Sequence, residues 1–222
     1  MTIQRVGIRV EDTDLEGFLH LPATSAIGGA AVLHGFGGDP GQPHIVATCD
    51  ALAGAGIAAL RFAYRNHHPP KMTLESGLAD AAGAIRLLKA HPDVPERLGV
   101  VGFSFGGTVA ALVAGRDSRI RGAVLAAAPA AAGPHFTAWS NEGKWKPVAE
   151  LSRTRARVLL IWGSRDDQVA FESAERYAAV LSQARVPNKI VTIEGGDHDF
   201  APAGPRAKMT QTVAEWMRGT LA

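Results

Sequence analysis

Residues 98–107 read LGVVGFSFGG, that is Leu98-Gly99-Val100-Val101-Gly102-Phe103-Ser104-Phe105-Gly106-Gly107. The first six are apolar and uncharged, the pattern of a strand buried on both faces. From Phe105 the chain becomes rich in alanine and glycine (FGGTVAALVAG, 105–115) and reads as a helix. Ser104 therefore stands at an abrupt strand-to-helix junction, flanked by Gly102 and Gly106. On so tight a turn a serine has a strained backbone and an exposed Oγ, and a Cβ at either glycine would strike the neighbouring helix or strand. The helix N-terminus beside it favours developing negative charge. A G-x-S-x-G pentad arises by chance roughly 0.1 times in a chain of this length and composition, so its surroundings must decide.

Upstream, Ile3, Val6, Ile8 and Val10 alternate before Asp12-Thr13-Asp14, and Leu15, Phe18 and Leu21 follow. These are two strands joined by a turn. A short apolar strand at 30–33 leads into a glycine-rich loop, 34–43. A helix is expected over 45–54, with Gly56 where it stops, then a strand at 57–62. Residues 74–91 place Leu78, Ala81, Ala82, Ile85 and Leu88 on one helical face. Downstream come a strand at 120–127, an irregular stretch at 128–146, a strand at 158–162, a helix at 169–183, a strand at 189–193 and a helix at 206–221. Two opening strands followed by strand–helix alternation predict an α/β fold. Its mostly parallel central sheet would carry an antiparallel N-terminal hairpin and helices on both faces. No repeat or linker splits residues 1–222, which read as one domain. The 128–146 segment is a short insertion, too small for a full cap domain.

Composition removes other classes. Of 222 residues, 46 % are hydrophobic and 20 % charged, as in ordinary globular chains. The single cysteine, Cys49, excludes an internal disulfide and a multi-cysteine zinc site. It lies in an apolar helix and is expected to be a small buried hydrophobe. The net charge is +2 and the arginines are scattered, so nucleic acid is not an expected partner. Apolar runs fall short of the roughly 18 residues of a membrane span, and the N-terminus has no apolar signal core. A soluble, cytoplasmic location is expected. The stretch 54–59 (GAGIAA) precedes a strand instead of following one, which argues against dinucleotide binding, and no P-loop occurs.

A serine hydroxyl is a poor nucleophile until a base takes its proton, and the base needs an acid to fix its tautomer. Both are available after later strands. GSRDDQV (163–169) follows the strand at 158–162, and EGGDHDF (194–200) follows the one at 189–193. In sheets of this kind ligands sit beyond the carboxyl ends of the strands. The reading is Ser104 as nucleophile, Asp166 as acid and His198 as base. Asp167 competes with Asp166, but it can equally cap the helix expected from Val169. An oxyanion needs backbone N–H donors at the same edge. Phe105 supplies one, and the loop His34-Gly35-Phe36-Gly37-Gly38 supplies the other, assigned to Phe36 with Gly37 as the fallback. Asp197 and Asp199 flank His198, yet no further ligand set accompanies them, so no metal is expected.

With these residues in place the chain resembles an α/β-hydrolase, and is most similar to the small, capless dienelactone-hydrolase-like esterases. The resemblance rests on HGFGGDP (34–40), LRFAYR (60–65), VVGFSFGG (100–107), GSRDDQV (163–169) and GGDHDF (195–200). Its G-x-x-D spacing places the acid at Asp166. It implies hydrolysis of carboxylic esters with small to medium acyl groups through an acyl-enzyme, with no cofactor. Dienelactone hydrolases proper carry cysteine at the elbow where this chain has Ser104, and the run after LRFAYR (NHHPPK, 66–71) also departs from related hydrolases. Expected pocket residues are His34, Gly37, Tyr64, Phe136, Trp139, Trp145 and Phe200. Phe136, Trp139 and Trp145 would form a partial wall from the 128–146 segment. His34 is read as shaping the oxyanion loop rather than as the base. The expected partner is a small-molecule ester, with no nucleic acid and no membrane, and a homodimer is left open. Thioester, lactone or peptide hydrolysis would use the same residues. A hydrolase-fold binding protein without turnover is disfavoured by the complete serine, acid and histidine set.

Overall fold

The computed structural model describes residues 1–65, 72–131 and 145–222. The opening hairpin pairs β1 (Thr2–Val10) with β2 (Thr13–Leu21). The register sets Ile8 opposite Leu15, buries both, and leaves only Glu11 and Asp12 for the turn. The turn thus comes one residue before the expected Asp12–Asp14, and Glu11 takes φ 52° to make it.

Alternation follows: β3 (Gly28–Leu33), α1 (Pro43–Gly54), β4 (Ile57–Phe62), α2 (Leu74–Ala90), β5 (Leu98–Phe103), α3 (Phe105–Arg116) and β6 (Ile120–Ala126). The chain continues with α4 (Pro147–Leu151), β7 (Arg157–Gly163), α5 (Glu172–Gln183), β8 (Asn188–Ile193) and α6 (Ala203–Leu221). The eight strands form one sheet in the order β1-β2-β4-β3-β5-β6-β7-β8. β2 runs antiparallel to both β1 and β4, and every pairing from β4 to β8 is parallel.

The two-residue period of a strand sorts side chains onto the two faces. Ala31 and Leu33 of β3 join Val100 of β5 in a core with Leu88 of α2, Val109 of α3 and Tyr177 of α5. Ala30 and Val32 join Val101 and Phe103 in a second core with Ile45 and Leu52 of α1 and Val213 and Met217 of α6. α1 and α6 thus cover one face, and α2, α3, α4 and α5 the other. Cys49 is fully buried in the α1–α6 layer. Among the described residues no helix is long and apolar enough to cross a membrane.

Helix starts follow local chemistry. Thr73 and Ser76 form a reciprocal capping box at α2, worth on the order of 1 kcal/mol. The expected helix over 169–183 begins only at Glu172. The N–H groups of Gln168 and Val169 are taken by Asp166, and the Val169 carbonyl accepts from Trp162 Nε1. Ser173 N–H bonds to Ala170 O instead of Val169 O, so the i to i−4 bond that would open a helix at Val169 is not made.

A buried ion pair ties the exit of β4 to α2. The fully buried Asp80 accepts from Arg65 N–H at 2.9 Å and from Arg65 Nε at 2.6 Å, while Arg65 Nη1 reaches Glu11 on the hairpin turn. The Glu11 contact is exposed and adds little. Removing Asp80 leaves a guanidinium and a backbone N–H without their acceptor. Asp80→Ala is expected to cost about 3 kcal/mol, a Tm fall of roughly 6–12 °C for a chain this size. Thermal and urea melts check it, and an unchanged Tm would contradict this role for the pair.

Candidate active site

Ser104 occupies the junction between β5 and α3 with φ 52° and ψ −120°. A non-glycine residue pays roughly 1–2 kcal/mol for such a left-handed φ. Three backbone bonds hold it there. Its N–H donates to Ala126 O at 2.8 Å, and its carbonyl accepts from Gly107 and Thr108. The flanking glycines are required by contact: a Cβ on Gly102 would lie 2.0 Å from Gly106 O, and one on Gly106 would lie 2.4 Å from Leu33 O. Ser104 makes no side-chain capping bond to α3, so its Oγ is not committed to the helix.

Two further loops arrive at the same sheet edge. A Cβ on Gly163 would meet Gly196 O at 2.2 Å, so the turn after β7 and the loop after β8 touch backbone to backbone. Arg165 N–H donates to Gly196 O at 2.8 Å, and Gly195 N–H donates to Ser164 Oγ at 2.8 Å. This lacing brings His198 Nδ1 to 3.0 Å from both Asp166 Oδ1 and Oδ2. Asp166 Oδ1 also accepts from the N–H groups of Gln168 and Val169, both at 3.0 Å. Burial alone would raise the Asp166 carboxyl. The hydrogen bonds from His198 and Val169, with that from Gln168, outweigh it and hold the group below its ordinary value. An ionised carboxylate only accepts, so His198 Nδ1 carries a proton, and in the neutral ring the lone pair is on Nε2. The neighbouring Asp167 is exposed and takes no part in the pair.

Ser104 and His198 line one cleft of about 280 Å³, together with Gly35, Phe36, Gly37, Gly38, Gln42, Gln168 and Asp199. The loop after β3 closes one side. A Cβ on Gly35 would sit 3.4 Å from the Ser104 Cβ, and Gly37 has φ 68°. Among the described residues the N–H groups of Phe36 and Phe105 have no backbone acceptor. The two rings lie 6.0 Å apart.

Several expected pocket residues sit elsewhere. His34 is fully buried, with Nδ1 2.8 Å from Gly35 O and its ring edge-on to Tyr64 at 4.7 Å. Tyr64 is buried between His34, Phe62 and Phe105, and Phe200 is buried against Phe103. These three support the loops from beneath and do not line the cleft, because the strand ends turn their rings into the core. Trp145 stacks with Arg116 at 4.7 Å. Arg116 ends α3, a twelve-residue helix, about 17 Å along its axis from Ser104. Trp145 therefore does not wall the cleft. Phe136 and Trp139 lie outside the described residues. Gln42 and Gln168 line the cleft although the sequence reading passed over them, and Asp199, read there only as a solvated loop residue, lines it too. Gln42 directly precedes Pro43 at the start of α1, a loop-to-helix position that could have drawn attention. Asp197, by contrast, caps its own turn through Ala201 N–H.

Comparison with known proteins places this arrangement. The model of the dienelactone hydrolase family matches residues 62–219. An uncharacterized Mycobacterium tuberculosis protein is 30 % identical over 214 residues, covering 87 % of this chain and 72 % of its own. The uncharacterized peptidase YuxL of Bacillus subtilis is 25 % identical over 152 residues. That match covers 58 % of this chain and 23 % of the relative, so the chain spans about a quarter of it. The solved structure of a dienelactone hydrolase from Anabaena variabilis matches with a TM-score of 0.80 at 21 % identity, covering 100 % of this chain and 99 % of that one. The structural likeness shows an α/β-hydrolase fold, and the family match and the Mycobacterium relative show more. The chain belongs to the dienelactone hydrolase family and is a hydrolase acting on esters.

Proposed function

We propose that the chain is a serine esterase for small to medium acyl groups, working through an acyl-enzyme. The observation that carries this reading is His198 Nδ1 held 3.0 Å from both Asp166 oxygens, in a ring that lines the cleft of Ser104. Ser104 Oγ attacks the ester carbonyl as His198 Nε2 takes its proton. Asp166 keeps the imidazole in the required tautomer and stabilises the imidazolium. The N–H groups of Phe36 and Phe105 receive the developing oxyanion in a site partly closed to water. His198 returns the proton to the leaving alkoxide. It then activates a water that frees the acid and restores Ser104. The hydrogen bond from Oγ to Nε2 forms as substrate seats, since catalytic hydrogen bonds commonly close only in the substrate complex. A cleft of about 280 Å³ is at the low end for ligand sites, which favours short chains.

Initial rates on p-nitrophenyl esters of two to twelve acyl carbons test the reading. Wild type is expected to turn over the short and medium esters best. Ser104→Ala should lower kcat/KM by on the order of 10⁴ or more. Equal turnover by wild type and Ser104→Ala would remove the serine mechanism.

Asp166→Asn puts an amide N–H against His198 Nδ1 and drives the ring proton to Nε2. It is expected to lower kcat by about 10³–10⁴ with little change in KM. Asp167→Asn serves as the control and should stay within about twofold. A comparable loss in both variants would show that the acid has been misassigned.

Stability against pH gives a separate measure. Asp166 titrates below its ordinary value in the folded chain. Its stabilising contribution is therefore complete above the unfolded carboxylate pKa and is lost as pH falls through the folded one. In urea melts from pH 7 down to pH 3, wild type should begin more stable than Asp166→Asn and the gap should narrow towards the acid end. A gap independent of pH would contradict an ionised Asp166.

A further inference from the structure

The polar groups behind the oxyanion loop form a chain of their own. Arg61 of β4 is 9 % exposed. Its Nε donates to His20 Nε2 at 2.9 Å, its Nη1 donates to Pro40 O at 2.9 Å, and its Cζ lies 4.3 Å over the Phe18 ring. His20 of β2 is fully buried, and its Nδ1 lies 2.9 Å from Asp50 Oδ1 on α1. An arginine N–H only donates, so His20 Nε2 is the acceptor. Nδ1 then carries the proton and donates to Asp50. Burial first, and Arg61 second, keep His20 below its ordinary value, against the pull of Asp50. The bonds run in one direction: Arg61 to His20 to Asp50, with the second arm of Arg61 on Pro40.

Pro40 belongs to the same loop as Phe36. Inside that loop Gly38 N–H donates to Gly35 O at 3.2 Å, and Gly41 N–H donates to Asp39 Oδ1 at 2.6 Å. These bonds stay within the loop and do not attach it to the sheet. The bond from Arg61 to Pro40 O does attach it. A nearly buried guanidinium whose direct partners are a neutral imidazole, a carbonyl and a ring is a costly way to fill space, and an apolar side chain would fill it at less cost. Two rigid N–H arms do something an apolar side chain cannot: they fix a carbonyl in position.

We propose that Arg61, aimed by His20 and Asp50, is a positioning residue that fixes the loop at Pro40 and so holds the Phe36 N–H where the oxyanion forms. The inference rests on the serine-esterase reading above. Complete loss of one oxyanion donor lowers kcat by on the order of 10²–10³, and displacement of a donor by less.

The test uses Arg61→Met, Arg61→Lys and His20→Leu, with Tm recorded for each so that rates are read on folded protein. Arg61→Met is expected to lower kcat by about 10- to 100-fold on the best p-nitrophenyl ester, with KM within about threefold. A trifluoromethyl ketone, which adds to Ser104 as an oxyanion adduct, should bind more weakly by the same factor as kcat/KM falls. A merely structural role would not make these two losses track each other. Arg61→Lys should recover part of kcat by keeping a donor to Pro40, and His20→Leu should give a smaller loss in the same direction. If Arg61→Met does not fold, Arg61→Lys and His20→Leu decide by the same pairing of kcat with ketone affinity. Folded variants with wild-type kcat, or with kcat lost while ketone affinity is kept, would overturn the proposal. Should Ser104→Ala match wild type, the esterase reading fails. If Ser104→Ala is inactive and Arg61→Met is unimpaired, only the positioning role fails.

Discussion

Three backbone hydrogen bonds carry the parallel ladder one residue past the strands. Ser104 N–H donates to Ala126 O at the end of β6, Ala127 N–H to Ile161 O on β7, and Ser164 N–H to Ile193 O at the end of β8. Each strand exit is thereby fastened to its neighbour before the chain turns away. Two of the donors, Ser104 and Ala127, sit at positive φ, where a side chain costs roughly 1–2 kcal/mol. The ladder bonds and the glycine contacts leave no relaxed alternative. Moving Ser104 would break its bond to Ala126. The strain is thus borne by the whole sheet edge, and Ser104, the turn after β7 and the loop after β8 are referred to one frame.

The chain contains the same pairing twice. His20 and His198 each direct Nδ1 at an aspartate, Asp50 in one case and Asp166 in the other, and each ring is thereby fixed as one tautomer. What separates them is the group facing Nε2. Arg61 Nε–H fills that lone pair on His20, so the ring serves as a fixed acceptor inside the fold. On His198 the ring lines an open cleft, so the lone pair faces the space a substrate would occupy. An acid–histidine pair does not make a base by itself. The vacancy at Nε2 does, and burial decides where a vacancy can exist.

Much of this was legible in the sequence because it depends on local pattern. Alternating burial in β1 and β2, continuous apolar runs in β3 to β7, and the glycines around Ser104 all follow from period and close approach. The G-x-x-D spacing pointed to Asp166 over Asp167, and it is Asp166 whose carboxylate lies against His198 while Asp167 is exposed. The start of α5 was misplaced because an apolar period cannot reveal that the Val169 carbonyl accepts from Trp162 while Ser173 N–H bonds to Ala170 O. Direction was the other blind spot. His34, Tyr64 and Phe200 stand next to cleft residues in sequence, but their rings turn into the core. Trp145 lies in an aromatic-rich stretch, yet it packs on Arg116 at the far end of α3. Polar groups that line a cleft from loops, such as Gln42 and Gln168, show no periodicity at all.

The two N–H groups proposed as oxyanion donors differ in how firmly they are built. Phe105 N–H opens a helix whose first turn is locked by the ladder bond of Ser104 and by Gly106 against Leu33 and His34. Its position follows from the sheet. Phe36 N–H lies between Gly35 and Gly37 in a loop that also contains Gly38 and Gly41, and glycine-rich backbone gains entropy whenever it is released. Glycines let the loop approach Ser104 closely, and they also remove the side chains that would have held it. Bracing must then come from outside, through the backbone carbonyls, which are the polar handles such a loop still offers. Of these, Pro40 O is held by a side chain of the sheet. Hence an arginine on β4 matters to a donor four residues away from the carbonyl it grips.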